Sequence, residues 1–283
     1  IPTKALLKSA QVFEYLKHAN DYGLKIKEYD KDFNAVVNRS RNVAEGMSKG
    51  VKFLMKKNKI DVIEGFAKIS KGKRVTVNKN GENTIYNSKH VIIATGSRSR
   101  ELPSIPQDGK KIIGYREAMT LKKQPKKLTI VGSGAIGIEF AYFFNSMGTE
   151  VTIIEYQDNI VPVEDEDVSK ELEKNFKRNG VKILTSSEVI SINTSGKNII
   201  ANLKTKKGNE KVESDILLSA VGIKTNIEDL GLKDVGIVTD NDKILVDDYY
   251  RTNLPGYYAI GDVTNGQSLA HVASAEGIIC VEK

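Results

Sequence analysis

The chain has 283 residues, enough for two domains of ordinary size. Its 43 Lys and Arg exceed its 36 Asp and Glu and give a net charge of +7, but the lysines are scattered, which argues against a nucleic-acid-binding stripe. The single cysteine, Cys280, excludes an intrachain disulfide framework and a thiolate zinc site, and His18, His90 and His271 lack metal-ligand spacing. No apolar run reaches about 18 residues, which favours a soluble protein.

The first part of the chain predicts two helices followed by a group of short strands. Pro2 suits a first helical turn, and apolar residues recur behind it at helical spacing. Residues 32–57 predict a second, longer helix with one apolar side. Turn residues then separate four predicted strands, at 60–63, 74–77, 84–86 and 91–94. We interpret these strands as a small β-meander, and the last of them leads into Thr95-Gly96-Ser97.

Residues 128–155 combine an apolar strand, a glycine turn, a helix and a second strand. The turn has the pattern Gly132-x-Gly134-x-x-Gly137, and the second strand ends on an acidic residue, Glu155. The predicted elements are a strand over 128–131, a helix to about residue 147 and a strand over 150–154. Three glycines alone are weak evidence, but the full series in this order is typical of a dinucleotide-binding unit.

Each of these residues has a physical role in a dinucleotide site. Gly132 allows the tight turn, Gly134 lets the backbone approach a pyrophosphate, and Gly137 lets the helix pack closely on the strand. The N–H groups at the helix N-terminus bind the diphosphate. Glu155 is placed to accept hydrogen bonds from ribose hydroxyls and to repel a 2′-phosphate, which favours NAD over NADP. The alternative is a βαβ unit with an ordinary glycine turn.

The remaining sequence continues the alternation of strands and helices. A helix is predicted over 165–178, and its end is marked by Asn179-Gly180. The strands predicted after it lie at 181–184, 189–192, 198–204, 210–214 and in the apolar run from residue 216. The last predicted element is a helix from about Leu269 to the final residue. Prolines and a glycine in 103–109 indicate a domain boundary near residue 112.

Four stretches occur in the order found in two-dinucleotide flavoprotein disulfide reductases. They are IPTKALL at 1–7, IIATGS at 92–97, VGSGAIGIE at 131–139 and TNLPGYYAIGDV at 252–263. The sequence resembles this family, the flavoprotein pyridine-nucleotide disulfide oxidoreductases, over essentially its whole length. IPTKALL, together with LAHVASAEG at 269–277, looks most like the dihydrolipoamide dehydrogenase branch of the family.

The resemblance implies an α/β fold with two Rossmann-like dinucleotide-binding domains, a β-meander insertion and an incomplete FAD domain. Residues 1–111 would then belong to a partial FAD-binding domain and residues 112–232 to an NAD-binding domain. Residues 233–283 would return to the FAD-binding domain and begin a central region.

The resemblance also assigns cofactor contacts position by position. The residues matched to the NAD site are Gly132, Ser133, Gly134, Ala135, Ile136, Gly137, Ile138, Glu139, Glu155, Val189 and Gly222. The residues matched to the FAD site are Lys4, Ala67, Thr95, Gly96, Ser97, Asp262, Ser268, Leu269, Ala270 and His271. Among them, Lys4 matches the lysine near flavin N5, Glu139 the acid near the nicotinamide, and Asp262 the acid that bonds the ribityl chain.

Without the resemblance, the same residues have ordinary structural interpretations. Lys4 would be an exposed lysine in a first helical turn, and Asp262 a turn-forming residue after a glycine. His271 would be a structural residue of the last helix, and even within the family it does not match the catalytic base.

The sequence departs from the family in three places. Members carry C-x4-C directly before the I-P-x-K stretch, preceded by a first βα unit with the glycine turn for the FAD diphosphate, and a C-terminal interface domain that supplies a His-Glu base. None of these has a match in the 283 residues. We therefore expect the chain to be the middle part of such an enzyme, with its redox cysteines and histidine base outside it. No catalytic residue and no metal ligand is assigned.

The function implied by the resemblance is oxidation of dihydrolipoyl groups, with electrons passing through a disulfide and FAD to NAD. The implied partners are a lipoyl-bearing acyltransferase of a 2-oxoacid dehydrogenase complex and, in a full-length enzyme, a second copy of the chain. Nucleic acid and membrane partners are not expected, and the implied location is the cytoplasm or the mitochondrial matrix. The alternatives are a glutathione- or mercuric-reductase-type enzyme and a non-catalytic NAD-binding module.

Overall fold

The computed structural model describes residues 1–283 and contains seven helices and seventeen strands. The helices are α1 (Pro2–Lys17), α2 (Phe33–Lys57), α3 (Tyr115–Ala118), α4 (Ala135–Ser146), α5 (Glu166–Arg178), α6 (Leu232–Val235) and α7 (Ala270–Glu282). The strands are β1 (Phe66–Ser70), β2 (Arg74–Lys79), β3 (Glu82–Asn87), β4 (Val91–Ile93), β5 (Ser97–Ser99), β6 (Ile112–Ile113), β7 (Lys127–Val131), β8 (Glu150–Ile154), β9 (Lys182–Leu184), β10 (Glu188–Asn193), β11 (Ile199–Thr205), β12 (Gly208–Ser214), β13 (Ile216–Ser219), β14 (Ile223–Thr225), β15 (Thr239–Asp240), β16 (Lys243–Ile244) and β17 (Tyr257–Ala259). None of the helices is long and apolar enough to cross a membrane.

The chain divides into two compact units. The first unit contains Ile1–Lys57 and Ser99–Gly222, and the second contains Asn58–Arg98 and Ile223–Lys283. Each unit is therefore built from two separate segments of the sequence.

A five-stranded parallel sheet lies at the centre of the first unit, in the order β6-β13-β7-β8-β9. β7 and β8 pair directly, with Lys127 opposite Glu150 and Val131 opposite Ile154. The glycine turn and α4 thus connect two neighbouring parallel strands, which is the βαβ arrangement predicted from the sequence.

Each face of this sheet is covered by a different layer. Ile130 and Ile153 lie in a core with the helices, among them the phenylalanines of α4. Val131 and Ile154, one position further along each strand, lie in a second core with the antiparallel sheet β10-β11-β12. This alternation follows from the two-residue period of a strand, and burial on both faces leaves only the first residue of each strand, Lys127 or Glu150, exposed.

The second unit contains smaller sheets around its own core. An antiparallel meander, β1-β2-β3, accompanies a parallel pair, β4 and β17, in which Val91 lies opposite Tyr257. Ile93, Ala259 and Val263 are among the buried residues of this core. β5 pairs with β14 and β15 with β16, and α7 packs against the short 3-10 turn Gly261–Val263.

The strand predicted at 60–63 is wrong, because the structure has no strand before Phe66 in this region. Ile60, Val62 and Ile63 are between 48% and 64% exposed, and no strand pairs with them. Extended apolar residues form a strand only where a neighbouring strand completes their backbone hydrogen bonds. The four-strand meander is wrong in two respects: its first strand is β1, which was not predicted, and the strand at 91–94 leaves the meander and pairs in parallel with β17. The other predicted helices and strands lie within a few residues of the observed ones.

The two units divide the chain differently from the cofactor-based domains expected from the resemblance. Residues 1–57 belong with 99–222 because Leu6 and Ala10 of α1 and Val37 of α2 lie in the same core as Phe143 of α4. The expected domain boundaries had grouped these helices with residues 58–111. The assignment of each segment to a particular cofactor stays a prediction.

Candidate functional site

The turn between β7 and α4 needs glycine at two positions for the fold itself. Gly132 has a φ of +97°, and a Cβ there would lie 2.4 Å from the carbonyl oxygen of Ala220. A Cβ on Gly137 would lie 2.0 Å from the carbonyl oxygen of Gly132. Neither position has room for a side chain, so these two glycines fix how closely the turn packs on the sheet and on α4.

Gly134, in contrast, is not required by the surrounding protein. Its φ of −68° and ψ of −176° are accessible to any residue. No atom lies within 4 Å of the position that its Cβ would take. This open space lies at the N-terminus of α4, which begins without a side-chain cap. An anionic group can approach the backbone there and meet free N–H groups at the positive end of the helix.

Glu155, at the end of β8, is buried next to this turn. Glu155 is 7% exposed. Its Oε2 accepts hydrogen bonds from the Ser133 amide at 2.8 Å and from the Ser133 hydroxyl at 2.6 Å. The Gln157 amide donates to Oε1 at 2.8 Å. The carboxylate is thus stabilised by three donors from the chain itself, which is how a protein can bury an acidic group.

The segment after Glu155 is tied to the same turn. The amide of Val161 donates to the carbonyl oxygen of Ser133 at 3.2 Å. Val161 has a φ of +42°, a conformation that is strained for a β-branched residue. The Ser169 hydroxyl, on α5, donates to the carbonyl oxygen of Ile160 at 2.6 Å. Glycine turn, acid and following loop therefore form one hydrogen-bonded assembly.

Lys4 on α1 and Glu139 on α4 form an ion pair. The lysine side chain is 71% exposed and the glutamate side chain 29% exposed. The resemblance had assigned Lys4 to the flavin and Glu139 to the nicotinamide, and the structure places the two side chains together. Both remain accessible from solvent, so a ligand can reach them.

The other residues matched to the NAD site also lie in the first unit. Ala135, Ile136 and Ile138 lie in the first turns of α4. Val189 is buried at the start of β10, and Gly222 follows β13 with a φ of +108°.

Residues matched to the FAD site meet one another in the second unit. The Ser97 hydroxyl donates to Asp262 Oδ2 at 2.5 Å, and the Thr95 hydroxyl donates to the Asn226 carbonyl oxygen at 2.7 Å. Ser268 to His271 are exposed around the start of α7, which packs on the turn that contains Asp262. Ala67 is exposed on β1. These contacts bring the Thr95–Ser97 loop and Asp262 together, and the cofactor roles of these residues stay predictions.

Two contacts were not anticipated from the sequence. Glu276 is only 4% exposed, and its Oε2 accepts a hydrogen bond from the Gly261 amide at 2.5 Å, directly before Asp262. The available signal was an acidic residue in the middle of the mostly apolar α7. The hydrogen bond from the Ser133 hydroxyl to Glu155 could not be predicted from the sequence, because serine is common in turns between glycines.

The comparison with protein families decides the broad class of the chain. The family model described as pyridine nucleotide-disulphide oxidoreductase matches residues 1–277. The chain belongs to the pyridine nucleotide-disulphide oxidoreductase family.

Relatives within this family cover the whole chain. A dihydrolipoyl dehydrogenase of Rhizobium etli is 45% identical over 100% of this chain and 62% of its own length. The crystal structure of LpdA from Mycobacterium tuberculosis matches 99% of this chain and 61% of that protein, with a TM-score of 0.90 and 28% identity. The structure of a flavoprotein disulfide reductase, RclA from Escherichia coli, matches 100% of this chain and 60% of that protein, with a TM-score of 0.86 and 25% identity. The chain therefore spans about three fifths of the length of these relatives.

The residues of this family member fit a pyridine nucleotide in the first unit. The space at Gly134 is open to an anionic group, the α4 N-terminus presents N–H groups, and Glu155 Oε1 accepts only one hydrogen bond from the chain. The disulphide of the family name has no counterpart within the chain, whose one cysteine is Cys280. Burial raises the pKa of the Cys280 thiol, which disfavours the reactive thiolate.

Proposed function

We propose that this chain is the nucleotide-binding part of a dihydrolipoyl dehydrogenase, which passes electrons from a dihydrolipoyl dithiol through a disulfide and FAD to NAD. The 45% identity to a dihydrolipoyl dehydrogenase over the full chain supports this specific activity within the family. The observation that carries the nucleotide part is the open space at Gly134, where no contact within the protein excludes a side chain.

The first unit contributes recognition of NAD. The diphosphate lies against the backbone at Gly134 and receives hydrogen bonds from the first amides of α4. The adenine ribose lies at Glu155, whose negative charge repels a 2′-phosphate and so favours NAD over NADP. Glu155 also argues against the NADP-linked alternatives of the glutathione- and mercuric-reductase type.

The ion pair of Lys4 and Glu139 supports a role beyond nucleotide binding. When bound, FAD and NAD supply the redox chemistry, namely electron uptake by the flavin and hydride acceptance by the nicotinamide. Lys4 provides a positive charge next to the flavin, and Glu139 provides a negative charge next to the nicotinamide. Their contact across α1 and α4 orients both side chains before either cofactor binds.

The electron donor proposed for the complete enzyme is a lipoyl-bearing acyltransferase of a 2-oxoacid dehydrogenase complex. The names of the curated relatives support this partner by analogy. A second candidate function is a nucleotide-binding module without turnover, which is favoured for the chain as it stands by its single, buried cysteine. The Escherichia coli relative, named a flavoprotein disulfide reductase, supports the presence of flavin in either case.

Substitution of Gly134 by alanine tests the nucleotide site directly. The backbone angles and the open space allow a methyl group without a clash, so the variant should fold and lose no more than about 1 kcal/mol in the free energy of unfolding, because alanine is a poorer helix N-cap than glycine. The methyl group would occupy the approach of the diphosphate, and we expect NADH to bind at least about tenfold more weakly by calorimetric titration.

Gly196→Ala is the matched control. Gly196 lies in a loop of the same unit, and its added Cβ would come only to ordinary contact, 3.7 Å from the Asn198 carbonyl oxygen. This variant should bind NADH like the wild type. Equal NADH affinity of the wild type and Gly134→Ala, both folded, would contradict the proposed site.

A further inference from the structure

Ser133 is the residue between the first two glycines of the turn, and it is completely buried. Both of its donors, the amide and the hydroxyl, point to the same oxygen of Glu155, Oε2, at 2.8 and 2.6 Å. Its hydroxyl oxygen also lies 3.3 Å from the amide of Val161. The side chain therefore connects the turn, the acid and the loop after the acid.

These bonds determine how much of Glu155 remains for a ligand. A carboxylate has about four acceptor positions, two on each oxygen. Ser133 takes both positions of Oε2, and the Gln157 amide takes one on Oε1. The one remaining acceptor position is on Oε1, so the orientation of the carboxylate decides where a ribose hydroxyl can bind.

We propose that the Ser133 hydroxyl is a positioning group that fixes the Glu155 carboxylate in the orientation that selects a ribose with a free 2′-hydroxyl over a 2′-phosphorylated one. Without the hydroxyl, the carboxylate keeps one amide donor on each oxygen, from Ser133 and from Gln157, and the hydroxyl adds a second donor on Oε2 that narrows the rotation of the carboxylate about its last bond. A fixed negative charge discriminates more strongly than a mobile one, because it cannot turn away from a phosphate. This inference rests on the proposed function, since it concerns the same nucleotide site.

Ser133→Ala removes only the hydroxyl and leaves the amide in place. We expect NADH to bind about three- to tenfold more weakly, while NADPH changes by no more than about twofold, so that the NADH preference falls. Calorimetric titration with NADH and with NADPH measures both affinities. Ser40→Ala is the matched control, because Ser40 is equally buried and donates one hydrogen bond, to the Val37 carbonyl oxygen at 2.7 Å, far along the sequence on α2.

A double-mutant cycle separates positioning from a general structural role. In a Glu155→Ala background, Ser133→Ala should change neither affinity by more than about twofold, because its effect acts through the carboxylate. Thermal unfolding of each variant shows that it is folded at the titration temperature. If Ser133→Ala does not fold, Ser133→Cys provides the same test, since a thiol is similar in size and a much weaker donor.

The titrations distinguish failure of the positioning role from failure of the proposed nucleotide site. An unchanged ratio of NADH to NADPH affinity in Ser133→Ala, or an equal loss for both nucleotides in both backgrounds, would overturn the positioning role while leaving the nucleotide site intact. A wild-type chain that binds neither nucleotide would instead overturn the proposed function.

Discussion

At the scale of single residues, glycine occurs at the three positions of the turn for different physical reasons. Gly132 and Gly137 are required by carbonyl oxygens that lie within 2.4 Å of a hypothetical Cβ. Gly134 faces open space, so no packing contact within the chain requires glycine there. The sequence pattern alone predicted all three roles, because each follows from the geometry of a βαβ turn around a diphosphate.

Gly137→Ala should destabilise the first unit. Its Cβ would collide with the Gly132 carbonyl oxygen at 2.0 Å, and the backbone on both sides is fixed by β7 and α4. We expect a loss of about 1–3 kcal/mol in the free energy of unfolding, measured by urea titration. Gly134→Ala, three residues earlier, should lose less stability than Gly137→Ala, because its methyl group meets no atom within 4 Å. Equal stability of the two variants would contradict the packing account of the motif.

The role of Glu155 was only partly predictable from sequence. Its place at the end of the second strand indicated a ribose acceptor. Its burial, its three donors and the part played by Ser133 depend on side-chain geometry that no spacing rule encodes. The same limit applies to Glu276 at the Gly261 amide.

At the scale of elements, local periodicity predicted the helices and strands that pair within the chain. β7, α4 and β8 lie within a few residues of the predicted bounds because each has a continuous apolar pattern. The stretch at 60–63 has a similar pattern but no strand beside it. A strand depends on a partner strand from any part of the sequence, and a short local pattern does not identify that partner.

α1 is attached to the first unit by apolar packing more than by its ion pair. Leu6 is 0% exposed in the core shared with α4, whereas the Lys4 side chain is 71% exposed. We expect Leu6→Ala to cost about 2–5 kcal/mol of stability, since it leaves a cavity. Lys4→Ala should cost less than about 1 kcal/mol, as for other exposed ion pairs. Chemical denaturation of both variants checks this order, and a larger effect at Lys4 would contradict it.

At the scale of the whole molecule, the division into units could not be read from the order of motifs. Residues 1–57 carry the IPTKALL stretch that the resemblance connected to flavin, yet they pack into the core around the glycine turn. Long-range packing of Leu6, Ala10 and Val37 decides this, and such contacts join residues more than a hundred positions apart.

The chain as it stands should not turn over lipoamide. Cys280 is its only cysteine, is 8% exposed and has a pKa raised by burial, so the chain cannot form an internal disulfide to relay electrons. NADH oxidation with lipoamide and added FAD should stay at the rate without protein. Cys280→Ser should give the same rate. Lipoamide-dependent turnover by the pure chain, lost in Cys280→Ser, would contradict this account.

The central claim is that the first unit binds NAD and selects it through Glu155. Calorimetric titration of NADH and NADPH into the wild-type chain and Glu155→Ala tests this claim most directly. The ratio of the two affinities is the informative quantity, because Glu155→Ala also leaves the Ser133 and Gln157 donors unpaired and so weakens both nucleotides through the turn. We predict that the wild type prefers NADH by at least about tenfold and that the preference falls to about twofold or less in Glu155→Ala. An equal affinity for both nucleotides in the wild type, or a preference that survives the substitution, would contradict the account.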